Sequence, residues 1–136
     1  MERGIIRITP DKEKAVSIVK MAETTLEMLE DIDTSKFASN VLKEYYDVIR
    51  EFMATVLLLD GFKTSGEGAH KKLIEYMNKN YSRFTGYEIS LLDELRVVRN
   101  KISYNGFFIT EDYIKRKRRD ILGLIAKLRN IINRKI

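Results

Sequence analysis

The chain has 136 residues, no Cys, a single His and a formal net charge of +5. A chain of that length makes one domain and buries about two-thirds of the surface its unfolded form exposes, so no disulfide or metal staple is required. With no Cys, and His70 as the sole imidazole, disulfides, a thiol nucleophile and a zinc site built from His and Cys are excluded, and no cofactor is expected.

The charge is unevenly placed. Residues 1–98 hold 14 Lys and Arg against 17 Asp and Glu, whereas residues 99–136 hold 11 against 3. That asymmetry favours an acidic partner, nucleic acid included, for the C-terminal helix. The longest apolar run, "MATVLLL" at residues 53–59, is far shorter than the about 20 residues that span a bilayer. Residues 1–14 lack the apolar stretch of a signal peptide. A soluble cytoplasmic protein without membrane contact is the expectation.

In chain order, residues 1–8 are expected to be extended or frayed. Thr9 then predicts an N-cap with Pro10 in the first helical position. Ala15, Val19, Ala22, Leu26 and Leu29 recur at helical steps to an end near Asp31. A second helix is expected from Thr34 or Ser35 to about Leu59, with Gly61 beyond it. It carries two adjacent stripes, Val41, Tyr45, Val48 and Phe52 beside Leu42, Ile49, Met53 and Val56. Such width predicts two neighbours, or one neighbour and a second subunit.

A shorter helix is predicted to begin at Ser65 or Gly66 and to bury Leu73, Met77 and Ile74. The "GEG" before it is not a phosphate loop, because the G-x-x-x-x-G-K-[ST] spacing is absent and no strand is predicted ahead of it. The fourth helix is expected from about Thr85 to the Gly106 stop, with Ile89, Leu92, Leu95, Val98 and Ile102 inside. "FFI" at residues 107–109 is expected to pack the link, and Thr110, Glu111 and Asp112 open the fifth, which buries Ile114, Ile121, Ile125, Leu128 and Ile132. Amphipathic helices with short links predict an all-α, antiparallel bundle of four to five helices.

Few residues carry chemistry. At about 100° per residue, Arg99 falls beside the stripe of Leu92, Leu95 and Ile102, where a charge needs a partner. Tyr104 lies roughly 140° further round, so one helix presents both to a single ligand only if its end unwinds. A twofold homodimer, burying Val98, Ile102 or their neighbours, would bring two copies into one cleft. His70 reads as a half-exposed imidazole at a helix edge, unless it reaches the Arg99 cleft and supplies proton transfer there. Lys115, Arg116, Lys117, Arg118 and Arg119 encircle a helix. Arg118 falls on its apolar stripe and is expected to snorkel or pair in a groove. The others are either solvated charges or phosphate contacts. Glu44, Asp47 and Glu51 read as partners for Arg side chains or as solvent-side charges, not as a metal site.

"RVVRNKISYNG", placed late in a bundle of this layout, resembles the HEPN family. "SGEGAHKKLIEYM" and "GFFITEDYIKRK" are similar to prokaryotic HEPN proteins as well, so the resemblance spans about residues 9–135 of a single domain, 1–136. It implies an up-and-down all-α bundle, commonly dimeric. The family's ribonucleases carry an Arg, then a polar residue, then a His after four to six intervening positions. Arg99 and Asn100 match the first two. Positions 104–106 hold Tyr104, Asn105 and Gly106 instead of His. A phenol near pKa ~10 is a poor general base at neutral pH beside an imidazole near ~6.5.

The resemblance thus implies a non-catalytic binding or regulatory module for a nucleotide, for RNA, or for a nucleotidyltransferase partner of the toxin–antitoxin type. Its candidate binding residues are Arg99, Asn100, Tyr104, Lys115, Arg116, Arg118 and Arg119. The alternatives are a metal-independent endoribonuclease using Arg99, Asn100 and Tyr104 in a degenerate Arg-x4-Tyr motif, and a structural homodimer without ligand.

Overall fold

A computed structural model describes residues 3–136; the first two residues of the expected extended segment lie outside the described residues. A short strand, β1 (Ile5–Arg7), leads into α1 (Lys12–Glu30). The helix starts later than Thr9 predicts. The Ile8 N–H donates to the Gly61 carbonyl at 2.9 Å, so the chain is still tied to another element at residue 8. Thr9 and Pro10 lie between the strand and the helix. The cap is Asp11, whose carboxylate accepts from the Lys14 N–H at 3.0 Å. Ala15, Ala22 and Leu29 are buried, with Val19 and Leu26 partly so.

The second helix, α2 (Thr34–Asp60), is capped by Asp33, which accepts from the Ser35 N–H at 2.9 Å. It ends at Gly61, where φ is +91°. That left-handed conformation is strained for any residue with a Cβ. Every residue of its two predicted stripes is buried. The width is used within one chain, because α2 packs against α1 and against each of the helices that follow.

β2 (Phe62–Thr64) pairs antiparallel with β1 in the register Ile5 with Thr64, Ile6 with Lys63 and Arg7 with Phe62. This pairing corrects the expected start of the third helix. The Ser65 N–H is held by the Gly4 carbonyl at 2.8 Å, and Gly66 and Gly68 have φ of +79° and +75°. The chain cannot coil until α3 (Ala69–Asn80).

α4 (Gly86–Asn105) opens with a capping box: Thr85 Oγ1 accepts from the Glu88 N–H at 3.1 Å, and Glu88 Oε1 accepts from the Thr85 N–H at 2.9 Å. α5 (Glu111–Lys135) is capped by Thr110, which accepts from the Tyr113 N–H at 3.2 Å.

The described residues thus form an all-α bundle around α2 with one small two-stranded sheet. Buried side chains from all five helices make one continuous core. Leu92, fully buried on α4, contributes about 1.5–3 kcal/mol through its burial alone. The helix ends are pinned by Asp60, whose carboxylate accepts from the Tyr76 and Tyr81 hydroxyls at 2.8 and 2.6 Å and from Lys135 Nζ at 2.6 Å. Burial first, then the Asp60 hydrogen bond, raises both phenol pKa values above the ordinary range, so both hydroxyls stay protonated. Among the described residues no helix is long and apolar enough to cross a membrane.

Candidate functional site

Arg96, Asn100 and Tyr104 recur at four-residue steps on α4, each about 40° further round the helix. They therefore share one face. The start of α3 lies against that face, and Gly66, Gly68, Ala69, His70 and Lys71 complete a cavity of about 260 Å³. Among the described residues its wall includes no carboxylate. A neighbouring cavity of about 250 Å³ is lined by Arg50, Lys63, Thr64 and Leu73, among others, and shares His70 and Ala69 with the first. The imidazole thus stands in the wall of both.

Arg99 is turned the other way, towards α2. Its Nε lies 3.4 Å from Asp47 Oδ1, and Arg50 Nε lies 3.9 Å from the same oxygen. None of these three atoms makes an aligned hydrogen bond, although all are shielded from water. The contact is one of charge. Arg96 leans outward onto Asp93, with Nε and Nη2 both 3.0 Å from Oδ1. Three guanidiniums therefore gather around the α2–α4 contact, with Asp47 inside and Asp93 outside as their carboxylates.

Two titratable groups register this field. Burial pushes the Tyr46 phenol up to about 12, against the opposing pull of Arg96, Arg50 and Arg99. Burial also lowers the pKa of His70, and Arg50, Arg99 and Arg96 lower it further while Asp47 opposes them. The neutral imidazole is therefore favoured at neutral pH, with one ring nitrogen a donor and the other an acceptor.

The predicted site residues divide into three groups. Asn100 and Tyr104 are together in the cavity wall. Arg99 does not line it, and finds its partner in Asp47 of its own chain. Neither Arg99 nor the wide apolar face of α2 requires a second subunit, and Val98 and Ile102 pack partly buried against the chain's own core. The basic run on α5 lines no part of this cavity. Lys115 pairs with Glu111 at 3.6 Å, Arg116 with Asp112 at 2.9 Å, and Lys117 with Glu94 at 3.2 Å. Arg118 packs over the Tyr45 ring and donates to its hydroxyl at 3.1 Å, in the groove position its helical angle predicts. Arg119 is exposed.

Of Glu44, Asp47 and Glu51 on α2, Asp47 serves the arginines. Glu51 is half-buried, and its pKa is raised chiefly by that burial. Arg96 and Lys71 escape a reading centred on Arg99, although the Arg96-x3-Asn100-x3-Tyr104 spacing marks the shared face. No protein-family model, curated protein or solved structure matches the chain.

Proposed function

We propose that the protein is a HEPN-like binding module, not a catalyst, and that the cavity between α3 and α4 takes the phosphate of a nucleotide or of RNA. One observation carries this reading: Arg96, Lys71, Asn100 and His70 surround a cavity whose wall, among the described residues, has no carboxylate. Arg50 and Arg99 stand close enough behind it to depress the His70 pKa. A phosphate finds two cationic side chains there, of which Arg96 is also paired with Asp93, an amide donor, and an imidazole that gains stability as its charged form. In the HEPN reading, Asn100 and Tyr104 belong to the motif and Tyr104 stands where a ribonuclease would carry His.

Isothermal titration with AMP, inorganic phosphate and a short RNA tests the reading. Binding should weaken with added salt, as expected when phosphates release counterions, and Arg96→Ala should remove it. No heat and no competition from any of the three probes at about 50 mM salt would refute it.

A metal-independent endoribonuclease is the second reading, and His70 favours it. The imidazole missing from positions 104–106 is supplied to the same cavity by α3. There it could accept a 2′-hydroxyl proton while a guanidinium stabilises the phosphorane. Cleavage of labelled RNA in EDTA that is lost in His70→Gln would favour this reading over the first.

A further inference from the structure

We propose that Tyr104, Phe107 and Phe108 form a stacking ledge for the bases of a single-stranded polynucleotide whose phosphate occupies the neighbouring cavity. The proposal rests on the phosphate reading of that cavity.

Of "FFI" only Ile109 packs against the core, and three aromatic rings within five consecutive positions face water instead: Tyr104 is 75% exposed, Phe107 47% and Phe108 83%. Large apolar rings are ordinarily buried. Among the described residues the ring–ring contacts, both tilted, link Phe62, Tyr76 and Tyr81 and do not involve these three.

The segment that carries them is held at both ends. The Phe107 N–H donates to the Lys101 carbonyl at 3.2 Å. The Ile109 N–H donates at 2.9 Å to Ser39 Oγ, on a residue that is 7% exposed. Thr110 then caps α5. The rings are therefore presented by a fixed backbone between two helices, and little ordering remains to be done on binding.

The surrounding charge selects the occupant. Lys101 Nζ lies 6.0 Å from the centre of the Phe107 ring, and Tyr104 shares its cavity with Arg96 and Lys71. Rings interleaved with cations match a chain that repeats a base and a phosphate. An apolar protein partner would have to cover these cations, and a second copy would bring the same cations against its own. A base pair inside a duplex hides the faces that a ledge would use, so the single strand is the form that fits.

The test is fluorescence anisotropy at about 50 mM salt, using a labelled hexanucleotide RNA, its duplex and labelled AMP. The proteins are the native chain, Phe107→Ala/Phe108→Ala, and Arg96→Ala. Both phenylalanines are exposed, and circular dichroism checks that the double variant keeps its helices. The expected result is a loss of roughly tenfold or more in hexanucleotide affinity for the double variant, with a smaller loss for AMP, whose single base has Tyr104 left to stack on, and the duplex bound more weakly than the single strand. Arg96→Ala should lose both small and large ligands. Unchanged hexanucleotide affinity in the double variant, with AMP still bound, would overturn the ledge alone. Failure of the native protein to bind either AMP or the hexanucleotide would overturn the phosphate site beneath it. A native dimer that the double variant converts to monomer in light scattering would assign the rings to a second copy and overturn the proposal.

Discussion

Asp47 is the carboxylate that Arg50 and Arg99 share, with Oδ1 at 3.9 and 3.4 Å from their Nε atoms. Asp47→Asn keeps its shape and removes its charge. Removing one partner of a fully buried ion pair costs about 3–5 kcal/mol, while an exposed pair is worth roughly 0–1 kcal/mol. The side chains of Asp47, Arg50 and Arg99 are 27%, 30% and 17% exposed, between those limits and partly screened by water. The expected loss is about 2 kcal/mol, or about 8 °C in Tm for a chain of this size.

The same substitution removes a negative charge that acts on His70, and so on the cavity it lines. Relief of ~1 kcal/mol of repulsion would tighten phosphate binding roughly fivefold. Thermal denaturation followed by circular dichroism, with and without AMP, together with titration calorimetry, reads both effects. A variant as stable as the native protein that binds AMP more weakly would refute the assignment of Asp47 as the internal counter-charge.

Three further outcomes are expected. Because the His70 pKa is lowered below its unfolded value of 6.5, the unfolded chain binds more protons as pH falls through that region. His70 therefore costs stability from about pH 7 downward, until the folded imidazole also protonates; His70→Gln should flatten that loss in urea midpoints measured across the window. Thr85→Ala removes half of the α4 capping box and should cost about 1 kcal/mol, visible as a lower urea midpoint with an unchanged slope. Tyr104→His places a second imidazole in the wall with Arg96, Asn100 and His70. It should raise cleavage of labelled RNA in EDTA, and adding Arg96→Ala should abolish the gain; strong native cleavage that survives Arg96→Ala would detach this cavity from any chemistry.

The helices were legible where their signals are local. Thr85, Gly61, Gly106 and Thr110 mark their boundaries within a few residues, and every position that the apolar periodicity names on α2 and α5 is buried. The start of α1 and the start of α3 were misplaced for one reason. Both are set by contacts between distant residues, Ile8 with Gly61 and Gly4 with Ser65, and no local propensity reports these. The β1–β2 pair is hidden in the same way, since two three-residue strands carry almost no periodicity. In the site, the helical angle correctly separated Arg99 from Tyr104. It did not show that Asp47 would satisfy Arg99 within the chain, nor that α3 would carry His70 and Lys71 to the face of Arg96, Asn100 and Tyr104. That face was available from the four-residue spacing, but its opposite wall depends on how the bundle closes.

The central claim is that a phosphate enters the cavity beside His70, and the chain has only one imidazole to report it. Its Cε1–H proton resonance can be followed by NMR across pH, first alone and then with saturating AMP. The free protein should titrate below the ordinary 6.5. Bound phosphate should move the midpoint upward, because the added negative charge favours the imidazolium. A midpoint that is the same with and without AMP would contradict the claim.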